Sequence, residues 1–299
     1  MKNIFKTLLL TGILLSGLSL FHSCDKIDEP FTKKGESQDT TACPVPEFPT
    51  VTTLKKRVLL EDYTGHTCVN CPKAAILAHN LKETHGDKLV LLAVHAGYFA
   101  EPTAGGLFTT DFRSEAGNAW DTFFGIGNAG NPNGMVNRIG FPGNHIKSPA
   151  AWSGAVSDAL ATDPLIDLQM INEYDDTERK LCSHIKVRFT SSIDKNLKLI
   201  VVLTESGIVA PQKNNDPASG TTPLIENYEH NHVLRTALTT AWGSTVGFKG
   251  SANPESLVKT YKHILNQNYK AENCTVVAFV YDDDTKEVLQ AIEADVIQP

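Results

Sequence analysis

Two cysteines separated by two residues, Cys68 and Cys71, stand where an apolar strand gives way to a helix, and no other feature restricts the possible folds as much. Residues 57–63 hold the continuous apolar run Val58, Leu59, Leu60, suited to a strand buried in a central sheet. The short loop Thr64-Gly65-His66-Thr67 leads into Cys68-Val69-Asn70-Cys71-Pro72-Lys73. Residues 74–83 then carry Ala75, Ile76, Leu77, Ala78 and Leu81 in a helical segment. Pro72 fits a first helical turn, where its missing N–H is no loss. A second buried strand is expected over 88–95. Strand, cysteine pair, helix and strand make a βαβ unit with a redox pair at the helix N-terminus.

That position suits thiol chemistry. A thiolate is the attacking species, and the positive end of a helix dipole lowers a cysteine pKa. Cys68, expected to be the more exposed, is the candidate nucleophile, and Cys71, a turn deeper, the resolving thiol. Closing a small ring lets the pair interconvert by thiol–disulfide exchange. An inert structural disulfide is the rival reading. A zinc site in which His66, with His79 or His95, joins the cysteines is another. No second C-x-x-C or H-x-x-H completes a structural zinc set, so neither a metal nor a cofactor is expected.

The N-terminus speaks of export. Lys2 and Lys6 precede an apolar run over 8–21 that is short for a membrane span and has the layout of a signal peptide. It ends on Ser23-Cys24. From Cys24 to about residue 53 the chain is polar, acidic and poor in aliphatics, as a flexible tether is. The chain carries a net charge of −7, and loss of Lys2 and Lys6 with the signal brings this to −9. With no basic run to track phosphates, nucleic acid is excluded as a partner.

The second half has another texture. Alternating segments at 165–174, 183–190, 197–204, 275–281 and 288–296 read as strands at sandwich-like spacing. Asp282-Asp283-Asp284-Thr285 is read as a hairpin turn rather than a calcium loop. His230 and His232 are expected on one strand face, and 211–223 as a polar loop. The aromatic stretch 97–125 is expected to be a helical insertion packed on the sheet, with a substrate groove beside the cysteines as the alternative. Six cysteines are present. In an oxidising compartment Cys182 and Cys274, each opening a strand, are expected to pair within the sandwich, leaving Cys43 in the tether unpaired.

The residues around Cys24 resemble a lipobox, which implies a lipid anchor at Cys24. Residues 54–161 resemble a thioredoxin-type domain. In that resemblance Asp62, six residues before Cys68, is the buried carboxylate that takes a proton from the resolving cysteine. Pro132, within Gly130-Asn131-Pro132-Asn133-Gly134, stands for the cis-proline that faces the disulfide. Thr67 replaces the usual aromatic residue, and Val69-Asn70 replaces Gly-Pro, so the redox poise of thioredoxin does not carry over. Taken whole, Glu61-Asp62-Tyr63-Thr64-Gly65-His66-Thr67-Cys68, Val136-Asn137-Arg138 and Tyr228-Glu229-His230-Asn231-His232-Val233-Leu234-Arg235 resemble the 28-kilodalton outer membrane lipoprotein family of Bacteroidetes. The resemblance implies the following organisation: a signal peptide over 1–23, a lipidated tether over 24–53, a thioredoxin-like α/β domain over 54–161, and an all-β immunoglobulin-like sandwich over 162–299. It also implies a cell outer membrane location. Two functions follow: a membrane-tethered thiol–disulfide oxidoreductase acting on envelope or surface proteins, or a surface binding and adhesion protein that uses the thioredoxin-like domain as a scaffold.

Overall fold

In a computed structural model, residues 43–250 and 255–298 are described; Cys24, the expected signal peptide and most of the tether lie outside them. Strand β1 (Val58–Thr64), helix α1 (Cys71–His85) and strand β2 (Leu89–His95) form the expected βαβ unit, with β1 and β2 parallel. Alternation in β1 divides its side chains between two cores. Val58 and Leu60 pack with Ala74 and Ala78 of α1, whereas Leu59 and Tyr63 face the opposite core. Asp62 therefore shares the α1 side and Glu61 the other.

Helix α2 (Glu115–Phe124) lies in the aromatic stretch, and α3 (Ile126–Ala129) follows it directly. Ser114 caps α2 by accepting from the Gly117 N–H at 3.1 Å. Trp120 and Phe124 fill the core against β1 and β2, while Tyr98 is 78% exposed, so the insertion packs by its helix and leaves its entry on the surface. Strand β3 (Asn133–Val136) runs antiparallel to β1, and α4 (Pro149–Leu160) covers the α1 side with Trp152, Val156 and Ala159.

The remaining strands are β4 (Ile166–Asp175), β5 (Lys180–Phe189), β6 (Leu197–Glu205), β7 (Ile208–Lys213), β8 (Leu224–His230), β9 (Val233–Ala237), β10 (Ser244–Gly247), β11 (Ser256–Ile264), β12 (Cys274–Asp282) and β13 (Val288–Asp295). One large sheet runs β13-β12-β6-β9-β2-β1-β3, with β10 also on β6. A three-stranded sheet, β11-β5-β4, packs on its β6–β12 part, and β7 pairs with β8 separately. The fold is mixed α/β.

Two expectations are corrected here. The strands of 54–161 and 162–299 are not held in separate sheets, as the two-part reading implies: β9 adjoins β2 through Ala93 and Val233, and adjoins β6 on its other side. Without β9, β2 would present an open edge of unpaired N–H and C=O groups. The second correction concerns the cysteines. Cys182 is bonded to Cys43, 139 residues away, and Cys274 is a free, buried thiol. Leu181, Ile185 and Val187 of β5 face the shared core, so Cys182 between them faces outward, where residue 43 arrives. Cys274 points inward with Val276 and Ala278. Cys182 is on the outer face of the three-stranded sheet and Cys274, on β12 of the large sheet, lies in the core beneath it, so the two cannot meet.

The acidic turn at 282–284 is closed by the Lys286 N–H donating to the Asp282 carbonyl at 2.7 Å, and Asp283 meets Lys198 at 2.7 Å. Asp282 also meets Lys195 at 2.5 Å, Asp283 also meets Lys286 at 2.6 Å, and Asp284 accepts from Asn196 at 3.2 Å.

Candidate functional site

The end of β1 turns into the cysteine loop at Gly65. A Cβ there would stand 2.3 Å from the Phe99 carbonyl carbon, so only glycine permits this approach. The Thr67 N–H and hydroxyl both donate to the Phe99 carbonyl, at 3.1 and 2.9 Å. The Cys68 N–H donates to Gly65 at 3.0 Å, and Cys71 opens α1. Cys68 and Cys71 are joined as a disulfide.

Both cysteines are 2% exposed, which corrects the expectation that Cys68 stands out to solvent. The reason is a strap from the second half of the chain. Gln212 Nε2 donates to the carbonyls of Cys68, at 2.9 Å, and Gly65, at 3.3 Å. The Lys213 N–H donates to His66 at 2.9 Å, and the Asn215 N–H donates to Val69 at 3.0 Å. Residues 212–215 thus run along 65–70. The stretch 211–223, expected as a loop, contributes β7 and its turn. β7 and β8 form a hairpin over the site.

Beneath the disulfide lies a cavity of about 560 Å³ lined by Asp62, Thr64, Cys71, His95, Gln212, Tyr228 and His230, with Ala75, Ile76 and Ala78 of α1 as its apolar wall. Asp62 is 6% exposed, and its Oδ1 has no hydrogen-bond partner among the described residues. Burial pushes its carboxyl up to about 7. Burial, with the Asp62 charge adding to it, lifts the Tyr228 phenol to about 12. The histidines move the other way. His230 falls to about 4 through burial, reinforced by His66, and His95 lies well below its ordinary value through burial, reinforced by His230. Both are neutral at pH 7. Neither ring nitrogen of His95 has a partner among the described residues, nor has Nε2 of His230. Their rings lie 5.5 Å apart, and each packs on Phe112, at 4.8 and 4.5 Å.

His230 ends β8 and His232 has a left-handed backbone (φ 55°), so the two histidines do not share a strand face. The Asn131–Pro132 bond is cis and immediately precedes β3, whose Gly134 pairs with Asp62. Pro132 does not line the cavity. Among the described residues no group of three or more His, Cys, Asp or Glu side chains has the geometry to hold a metal ion.

On the other face of β1, Glu61 and Arg138 form a fully buried pair with two hydrogen bonds of 2.7 and 2.8 Å. The guanidinium also lies over Trp120, Phe124 and Phe279 at 4.8–5.1 Å from their centroids. Asn137 Oδ1 accepts from the Leu59 N–H at 2.7 Å. These residues lock β1 to the segment after β3. Gln212, Tyr228 and the hairpin that carries them escaped sequence reasoning as parts of the site, although Tyr228 to Arg235 stood out as a motif.

In fold the chain is similar to HBP35 of Porphyromonas gingivalis, at 17% identity and a TM-score of 0.60, over 82% of this chain and 76% of that one. It also matches a domain of the outer membrane lipoprotein Omp28 from Porphyromonas gingivalis, at 24% identity and a TM-score of 0.31, covering 45% of this chain and 90% of that domain. A comparison with curated proteins finds no match. Residues 118–298, more than half of the chain, match the family described as Outer membrane protein Omp28; the chain belongs to that family.

Proposed function

We propose that this outer membrane protein is a lipoprotein anchored at Cys24 whose residues 54–161 act as a thioredoxin-like unit, catalysing thiol–disulfide exchange at Cys68 and Cys71. The observation that carries the reading is the placement of a Cys68–Cys71 disulfide at the first turn of α1, with Cys71 in one cavity wall with a buried carboxyl pushed up to about 7. Each residue has a role that its surroundings favour. Cys68, just ahead of the helix, is the thiolate that the helix N-terminus stabilises. Cys71 is its resolving partner. Asp62 accepts and returns the proton that thiol chemistry must move, and its value near 7 suits it to both directions. Pro132 ends the segment that sets β3 beside Asp62.

A second reading has an observation of its own. Both cysteines are 2% exposed under the 212–215 strap, as a structural disulfide would be in a binding or adhesion scaffold. The reduction potential separates the two. Full-length protein is equilibrated with graded thiol–disulfide buffers, and the Cys68–Cys71 state is read by alkylation and peptide mapping. A potential above about −300 mV is expected for a working pair, and one well below it would leave the scaffold reading in place.

A further inference from the structure

The cavity and the strap reach the disulfide differently. Cys71 lines the cavity and Cys68 does not. The loop that carries Cys68 is held along its backbone by Gln212, Lys213 and Asn215, where the chain of a docked protein would otherwise have to lie. The cavity is open at its rim, where Ile76 and His79 of α1 are exposed, and its volume admits a molecule of amino-acid to small-peptide size but not a folded partner. Its wall presents polar atoms without partners among the described residues: Asp62 Oδ1, both nitrogens of His95 and Nε2 of His230. Neutral imidazoles donate or accept, so the wall suits a ligand that brings hydrogen-bonding groups of its own.

We infer that the substrate of this pair is a low-molecular-weight thiol carrying polar groups, or the corresponding disulfide, which enters the cavity and exchanges at the sulfur of Cys71. The inference rests on the redox reading above, changes its substrate from proteins to small thiols, and exchanges the roles of the two cysteines, so that Cys71 carries the mixed disulfide and Cys68 resolves it. In the forward direction the incoming thiol gives its proton to the Asp62 carboxylate and its sulfur bonds to Cys71 Sγ. The Cys68–Cys71 bond breaks, and its electron pair leaves on Cys68 as a thiolate at the N-terminal end of α1. A more stabilised thiolate is a better leaving group, which favours attack at Cys71 over attack at Cys68. A second small thiol attacks the mixed disulfide and releases the small-molecule disulfide. Cys71 recovers a proton from Asp62, and the second thiol's proton passes to Cys68. Two thiols are oxidised and one protein disulfide is reduced; the reverse reaction reduces a small disulfide.

The test uses oxidised full-length protein with two probes at equal thiolate concentration: cysteine, and a polyethylene glycol thiol too large for the cavity. Cysteine is expected to reduce the Cys68–Cys71 bond at least about tenfold faster than the polymer, beyond the difference seen on a free small disulfide. Ala75→Phe, which narrows the cavity, is expected to remove most of that advantage. The Cys68→Ser chain treated with cystine is expected to carry the adduct on Cys71 and to form it faster than Cys71→Ser forms one on Cys68. Equal rates for the two probes, or a faster adduct on Cys68, would overturn the small-thiol inference while leaving the redox reading intact. Failure of both probes to reduce the pair under conditions that reduce free disulfides would overturn the redox reading itself.

Discussion

Burial lifts the Asp62 carboxyl to about 7, and the direction of that shift sets how it acts on stability. The folded chain holds this proton more tightly than the unfolded chain. The protonated group therefore contributes stability that is complete below the ordinary value of 3.8 and is lost as pH rises through about 7. Asp62→Asn removes the charge and is expected to be more stable than the parent above about pH 8, by up to about 4 kcal/mol, with little difference near about pH 4. Urea titration at the two pH values checks this, and equal stabilities at the higher one would show that the carboxyl carries no such penalty. His230 has the opposite sign: its value, depressed to about 4, contributes stability above its ordinary 6.5 that is lost as pH falls toward 4. Asp62 is legible in the sequence only through the resemblance to a thioredoxin-type domain, which places a carboxylate six residues before Cys68. The Glu61–Arg138 pair is not legible as a pair, because its partners lie 77 residues apart and only the antiparallel placement of β3 on β1 brings them together.

At the scale of elements, the hairpin of β7 and β8 decides how the site is reached. Gln212 is 2% exposed, and its amide also donates to the Lys213 carbonyl at 3.0 Å. Gln212→Ala leaves the buried Cys68 and Gly65 carbonyls without this donor, at a cost of about 1–3 kcal/mol. It is expected to speed amide hydrogen exchange across residues 65–71 while leaving β12 and β13 protected. Uniform acceleration throughout the chain would mean that the strap has no local role. The hairpin was hard to read from sequence for a physical reason. β8 is half-buried or exposed at all but its last residue, and no regular alternation of apolar and polar residues marks it. The strands β1 and β2, buried on both faces, announce themselves as continuous apolar runs, whereas β6 and β12, expected as alternating strands, are buried on both faces as well.

At the scale of the whole molecule, Cys43–Cys182 ties the start of the described chain to the three-stranded sheet. Closing a loop of 139 residues removes unfolded-state entropy worth about 5 kcal/mol at most. Replacing both cysteines by alanine is expected to lower stability by a few kcal/mol in denaturant titration with Cys68–Cys71 left intact. An unchanged midpoint would show that this bridge does not support the fold. Cys274, by contrast, is held near 12 by burial, with Glu205 adding to it, and is chemically quiet. Local spacing carried a great deal: the βαβ unit, the cysteine pair at its helix and the main strands follow from short-range pattern, because hydrophobic period and capping are set by neighbours along the chain. Which cysteine meets Cys182, which strand closes the edge of β2, and what covers Cys68 depend on residues more than a hundred positions apart. Those pairings are settled only when the sheets pack, since the face on which a side chain emerges, and the partner waiting there, exist only in three dimensions.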